Sequence, residues 1–111
     1  RVLAWAELGL DRLLVRLPLD ELTLEDLPLS VRRLLEAGLG DDMLATLEAY
    51  LALGGDAAAT ARALHIQRST LYYRLDRIRV VGDLDLTDGV LRRELHTGLR
   101  IAELAGLRHS V

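Results

Sequence analysis

Leucines spaced three and four residues apart, in short segments separated by glycine, proline and aspartate, constrain this fold more than any other feature. Such spacing places the leucines on one face of an α-helix, whereas a strand needs strict alternation. The clearest segment begins at Asp41 and ends at Gly54, and two later segments repeat its pattern. The three stripes are Leu44, Leu47 and Leu51; Leu71, Leu75 and Ile78; and Leu91, Leu95, Leu99 and Ala102. The sequence therefore predicts an all-α domain built as a small helical bundle.

The ends of these helices are predicted from residues that cap or interrupt a helix. Ser30, Asp56 and Asp88 each stand just before a helical segment, where a side-chain oxygen can accept from a free backbone N–H. Gly82 follows the segment of about residues 68–80 and is predicted to end it. The boundaries of the helices thus come from local chemistry.

Composition excludes several classes of protein. The chain has 111 residues, half of them hydrophobic, which suits one domain with a core of its own. It has no cysteine, so it has no disulfides, thiolate nucleophile or zinc-finger site. No apolar run approaches the ~20 residues of a membrane span. No phosphate-binding loop or catalytic constellation is evident, so we expect neither an enzyme nor a cofactor.

Residues 56–78 carry the pattern of a helix-turn-helix. Two predicted helices flank a connection of about three residues, and such helices cross steeply. A small side chain is needed where they meet, apolar side chains must close the turn, and His65 stands where the backbone is often left-handed. The predicted helix-turn-helix core is Ala61, Leu64, Ile66, Leu71 and Leu75.

Charge is distributed unevenly along the chain. The net charge is −3, and all 14 basic residues are arginines, a balance that taken alone disfavours a nucleic-acid partner. Residues 57–81, however, contain five arginines against Asp76 alone, a net charge of +4, while residues 1–56 carry −6. The positive charge therefore coincides with the helix-turn-helix pattern, where arginines can contact DNA phosphates.

Helical geometry assigns roles to the side chains of this segment. The second helix, about residues 68–80, is expected to lie in the major groove of double-stranded DNA, with its first turn near the bases. Arginine and glutamine can each form paired hydrogen bonds with base edges. The residues expected to read bases are Gln67, Arg68, Ser69, Thr70, Tyr72 and Tyr73. Those expected to bind phosphates are Arg62, Arg74 and Arg77.

The run "AATARALHIQRSTLYYRLDRI", within residues 56–78, resembles the C-terminal helix-turn-helix domain of PucR-type bacterial transcriptional regulators. The resemblance covers about residues 8–107 and is most specific at residues 44–78. More distantly, the hairpin is similar to those of the nucleoid protein Fis and of NtrC-class activators. The resemblance implies a cytoplasmic regulator whose second hairpin helix reads the major groove and whose effector-sensing region lies N-terminal to this domain.

The chain departs from the family pattern at several positions of the hairpin. Gln67 and Ser69 stand where the family commonly has His and Asn, which changes the DNA sequence that would be recognised. Asp76 stands where Arg or Glu is common, and Gly82 with Asp83 replaces the usual Thr-Gly. The fold implied by the resemblance does not depend on these positions.

Two questions of organisation remain open at the level of sequence. Because the chain starts with Arg1, residues 1–17 are expected to be the end of a linker from a missing N-terminal region, followed by the DNA-binding domain at 18–111. The stripe of Leu91, Leu95 and Leu99 can either close the core or form the seam of a homodimer. An alternative function is a helical protein–protein interaction or dimerisation module that does not bind DNA.

Overall fold

A computed structural model describes residues 5–108, with side chains from residue 9 onward. Residues 1–4 of the predicted linker and residues 109–111 of the predicted DNA-binding domain lie outside the described residues. The described residues form six α-helices and no strand, which confirms the all-α prediction. The helices are α1 (Trp5–Leu14), α2 (Leu29–Glu36), α3 (Asp41–Ala52), α4 (Ala57–Leu64), α5 (Arg68–Gly82) and α6 (Gly89–Leu104). Two 3₁₀ helices, Leu19–Glu21 and Leu24–Asp26, precede α2. None of these helices combines the length and apolar character needed to cross a membrane.

Two of the predicted helix caps are confirmed. The Asp56 carboxylate accepts a hydrogen bond from the backbone N–H of Ala59 at 3.0 Å, at the start of α4. The Asp88 carboxylate accepts one from the backbone N–H of Val90 at 2.9 Å, at the start of α6. Each bond satisfies a backbone donor that the first turn leaves free.

The predicted role of Ser30 as a cap is wrong. Helix α2 begins one residue earlier, at Leu29, with Pro28 at the capping position. Ser30 is buried, and its hydroxyl donates to Oε2 of Glu94 on α6 at 2.6 Å. The hydroxyl therefore joins two helices instead of capping one.

Helix α5 ends at Gly82, the residue predicted to end it, but the glycine does not form the turn that follows. Gly82 is itself helical, and the chain turns at Asp83, which has a left-handed backbone with φ 53°. A Cβ added at Gly82 would lie 2.9 Å from the side chain of Leu84 and 3.0 Å from Cδ2 of Leu34. Glycine is therefore required here because neighbouring side chains pack directly on the helix backbone.

The core is built mainly from leucines on the inner faces of α2, α3, α5 and α6. Helix α3 packs against α4, α5 and α6, and α2 packs against α5 and α6. The large side chains that are fully buried are Val31, Leu34, Leu44, Leu47, Leu71, Ile78, Leu95 and Leu99. Helix α4 packs on α3 and α5, so the α4–α5 hairpin lies at one side of the bundle.

The stripe on α6 closes this core. Leu95 and Leu99 have no exposed surface, and Leu91 is half-buried against the core. Side chains buried inside one domain are not available to a partner subunit. Leu95 and Leu99 therefore close the core, and a homodimer through the last helix stays a prediction.

Helix α1 lies within the segment predicted to be the end of a linker. Its Leu14 is buried, and its Asp11 carboxylate accepts hydrogen bonds from Arg100 on α6, at 3.0 Å from Nε and 2.6 Å from Nη2. A bidentate interaction of this kind fixes the relative orientation of the two side chains as well as their distance. Helix α1 is thus attached to α6, and the boundary at residue 17 stays a prediction.

Candidate nucleic-acid interface

The turn between α4 and α5 is a compact connection of three residues. The backbone N–H of Ile66 donates to the carbonyl of Ala61 at 3.0 Å, and that of His65 donates to the carbonyl of Arg62 at 3.2 Å. This pair of bonds is the Schellman arrangement, which requires a left-handed residue after the helix. His65 is that residue, with φ 56°, as the sequence predicts.

Apolar side chains hold the two hairpin helices together. Ala61 on α4 and Leu71 and Leu75 on α5 are buried. Leu64 and Ile66, at the turn, are half-buried, and Ile66 packs against the edge of the core. The five residues expected to form the hairpin core thus divide into a buried centre and a partly exposed turn.

The face of α5 opposite the core is open to solvent. Ser69, Tyr72 and Tyr73 are exposed, the two tyrosines by 54% and 68%. Asp76 lies on the same face two turns after Ser69. Thr70 is half-buried, so it lies at the edge of this surface. We call the row of Ser69, Tyr72, Tyr73 and Asp76 the outer face of α5.

The first turn of α5 adds two long polar side chains to this surface. Gln67 occupies the capping position in an extended conformation, and its side chain makes no capping hydrogen bond. Arg68 is the first helical residue, and both side chains are exposed. Their amide and guanidinium groups are therefore available to a ligand approaching the N-terminal end of α5.

Three of the arginines expected to contact DNA have no partner within residues 9–108. Arg62 on α4 and Arg68 and Arg77 on α5 are exposed, and the described residues offer none of them a side-chain hydrogen bond or ion pair. No acidic side chain among residues 9–108 compensates their charges. A polyanion can therefore bind them without breaking an internal ion pair.

Arg74 differs from the other predicted phosphate ligands. It is half-buried, and its Nη1 donates to the hydroxyl of Thr46 on α3 at 3.1 Å. The Thr46 hydroxyl in turn donates to the backbone carbonyl of Asp42 at 2.7 Å. Arg74 therefore fastens α5 to α3, a contact across 28 residues of sequence for which the local pattern gives no signal.

Asp76 and Arg79 form an ion pair that the sequence analysis missed. Nη2 of Arg79 donates to Oδ1 of Asp76 one turn earlier on α5, and both side chains are more than half exposed. The three-residue spacing is the available signal, since side chains so spaced are neighbours on a helix. Among the residues whose side chains are described, Arg79 is therefore the one arginine of the hairpin that pairs with an acidic side chain.

The groups brought together at this surface are guanidinium, amide, hydroxyl and phenol groups, together with the carboxylate of Asp76. All but the carboxylate donate hydrogen bonds, and phosphate oxygens and the acceptor atoms of base edges are suitable partners for these donors. In the described part of the chain, no cluster of three or more His, Asp or Glu side chains could hold a metal ion.

Comparison with known proteins agrees with this geometry. The family model of the PucR C-terminal helix-turn-helix domain matches residues 43–101, which run from α3 through the hairpin into α6 and make up more than half of the chain. No curated protein and no solved structure matches the chain. The chain belongs to the family of PucR C-terminal helix-turn-helix domains.

Proposed function

We propose that this domain binds double-stranded DNA in a sequence-specific manner, as the output domain of a bacterial transcriptional regulator in the cytoplasm. The observation that carries the proposal is a set of three exposed arginines, on the hairpin of a chain whose net charge is negative. Arg62, Arg68 and Arg77 have no hydrogen-bond or ion-pair partner for their side chains among the described residues. Family membership supports it, since the matched family is a helix-turn-helix and not an enzymatic one. Binding, not catalysis, is the proposed activity.

In this proposal the N-terminal part of α5 enters the major groove. Arg68 and Gln67 lie at its first turn, where they form paired hydrogen bonds with guanine and adenine edges respectively. Ser69 and Tyr73 on the outer face contact the following bases. Thr70, at the edge of the surface, and Tyr72 complete the proposed set.

Phosphate contacts fix the domain on the duplex. Arg62 on α4 and Arg77 on α5 contact DNA phosphates with guanidinium groups that have no partner among the described residues. Arg74 keeps its bond to Thr46 and offers its remaining N–H groups to a phosphate. Three such contacts predict a slope of about −2.7 in log affinity against log salt concentration.

The proposal is tested by titrating the domain into a labelled mixed-sequence duplex at several salt concentrations. Three phosphate contacts predict about a 40-fold loss of affinity between roughly 50 and 200 mM salt. Arg77→Ala is expected to weaken binding and to make the salt slope shallower by about one unit. Arg12→Ala is the matched control, because Arg12 is an exposed arginine on α1 without a hydrogen-bond or ion-pair partner in the described part of the chain.

Absence of binding at low salt would contradict the proposal, as would an affinity that salt does not change. An Arg12→Ala variant that loses as much affinity as Arg77→Ala would place the contact surface elsewhere. Absence of binding would favour the alternative function, a helical interaction module without DNA binding.

A further inference from the structure

Asp76 is the only acidic residue among residues 57–81, and it lies in the middle of the proposed DNA surface. It shares the outer face of α5 with Ser69, Tyr72 and Tyr73, at intervals of three, four and seven residues from Ser69. Its side chain is 62% exposed. A carboxylate so placed meets a duplex that occupies this face, so its effect on binding needs an explanation.

The carboxylate is oriented by its neighbour. Arg79 donates to Oδ1 of Asp76 from one turn further along α5 and limits the directions in which the carboxylate can point. The pair is exposed, and exposed ion pairs are weak. Oδ2 of Asp76 receives no hydrogen bond from the described residues, so it is available to an external donor.

The surface around Asp76 is concave. A shallow depression of about 210 Å³ is lined by Tyr73, Asp76, Arg77, Val80 and Val81. The carboxylate thus stands beside an aromatic ring, a free guanidinium group and two apolar side chains. This combination suits the edge of a base better than a phosphate, because a carboxylate repels phosphate.

We propose that Asp76 determines specificity by accepting a hydrogen bond from the amino group of a cytosine in the major groove. In that groove only cytosine N4 and adenine N6 present donors, and adenine N7 places an acceptor beside its donor. A carboxylate therefore favours cytosine over adenine and disfavours guanine and thymine. Arg79 acts as a positioning residue. This inference rests on the proposed function.

The position of the cytosine follows from helix geometry. Asp76 lies seven residues after Ser69, about 10.5 Å along the axis of α5. That distance equals about three base-pair steps of 3.4 Å. The cytosine is therefore expected within about three base pairs of the base that faces Ser69.

The experiment is selection of binding sites from random duplex DNA by the whole chain and its variants. The wild type is expected to select cytosine at one position, with about tenfold discrimination. Asp76→Asn is expected to change that preference to adenine, with which an amide forms paired hydrogen bonds. Asp76→Ala is expected to remove the preference at that position alone. Because the Asp76 side chain is exposed, both variants are expected to fold, and thermal melting checks this.

Controls separate base reading from a general effect of charge. Asp83→Asn removes an exposed carboxylate outside the outer face at a left-handed position that Asn tolerates, so it is expected to leave the profile unchanged. Arg79→Ala is expected to lower the cytosine preference several-fold, and Arg79→Lys to restore most of it.

Two outcomes would overturn the role of Asp76. One is an unchanged profile in Asp76→Asn and Asp76→Ala. The other is a uniform gain of affinity for all duplexes with the same preferred sequence, which would mean that the carboxylate only repels DNA. A wild-type chain that binds no duplex would instead overturn the proposed function itself, so the two failures are distinguishable.

Discussion

His65 has a left-handed backbone at the corner of the proposed DNA-binding hairpin, where glycine is the usual residue. Left-handed backbone costs an ordinary residue about 1–2 kcal/mol, and less for His than for a branched residue. Its side chain is exposed, so no packing is known to offset this cost. The turn therefore contains backbone strain at His65.

We predict that His65→Gly stabilises the domain by up to about 1 kcal/mol, because glycine adopts this conformation freely. His65→Val is expected to destabilise it by about 1–2 kcal/mol, since a β-branched residue fits a positive φ poorly. Urea unfolding followed by circular dichroism measures both. A valine variant as stable as the wild type would show that the turn is not left-handed in solution.

Arg68 and Arg62 are expected to differ in what they contribute to binding. Arg68→Ala should cost about 1–3 kcal/mol on the preferred duplex and relax the preference at one position. Arg62→Ala should weaken all duplexes about equally, because a phosphate contact carries no sequence information. Site selection with each variant checks the difference. A profile that Arg68→Ala leaves unchanged would contradict the base-reading role.

Single residues also show why only part of the site can be predicted from the sequence. Asp56 and His65 act on backbone groups within five residues, so local sequence specifies their roles. Arg74 and Ser30 have partners 28 and 64 residues away, which only the folded chain brings near. Sequence alone therefore predicts which side chains have the chemistry to bind DNA. It predicts less well which of them form hydrogen bonds within the protein.

At the scale of the elements, four helices end in the same arrangement of backbone hydrogen bonds. The left-handed residues are Gly54 after α3, His65 after α4, Asp83 after α5 and Gly106 after α6. The left-handed residue is a glycine after α3 and α6. It is a polar residue, His65 or Asp83, after α4 and α5. Glycines are therefore an incomplete guide to the left-handed residue at a helix end, which after α5 is Asp83 and not Gly82.

The closest approach between α2 and α6 depends on Gly98. A Cβ at this position would lie 2.6 Å from Cγ2 of Val31, a fully buried and conformationally stiff side chain. The prediction from leucine spacing identified the face of α6 that packs inward. It gave no information on how closely α2 approaches that face, because the distance depends on both helices.

We predict that Gly98→Ala destabilises the domain by about 1–3 kcal/mol through overpacking, although alanine favours helix. Gly9→Ala is the matched control, since Gly9 is also helical and no atom of the described side chains lies within 4 Å of the added Cβ. That variant is expected to gain about 0.5–1 kcal/mol. Thermal unfolding measures the stability of both variants. A loss of stability in Gly9→Ala as well would contradict the assignment of the Gly98→Ala effect to overpacking.

For the whole molecule, the separation of charge matters more than its sum. Residues 57–81 carry +4 while residues 1–56 carry −6, so attraction to a polyanion is confined to the hairpin. The fold preserves this separation, because the hairpin lies at one side of the bundle. A net charge of −3 therefore does not argue against a DNA partner.

The attachment of α1 to the rest of the molecule gives a prediction about pH. The hydrogen bond from Arg100 is the main reason that the pKa of Asp11 lies below its usual value of 3.8. A carboxylate with a lowered pKa stabilises the fold above its unfolded pKa, and this contribution is lost as pH falls through the lowered value. The contribution of Asp11 is thus complete at neutral pH.

We predict that Asp11→Asn lowers the free energy of unfolding at neutral pH by about 1 kcal/mol. The difference from the wild type is expected to shrink as the pH falls below 3.8 and through the lowered pKa of Asp11. Asp20→Asn, at an exposed carboxylate without an ion-pair partner among the described residues, is the control. A difference that stays constant on acidification would exclude the ion pair as its cause.

The most direct test of the central claim is to map amide chemical shifts while a mixed-sequence duplex is added at low salt. We predict that the changes concentrate in residues 62–77 and diminish as salt is raised. The far side of the molecule, at α1 and the C-terminal half of α6, is expected to change little. Changes centred on α1 and α6, or no changes with excess duplex, would contradict the claim that the outer face of the hairpin binds DNA.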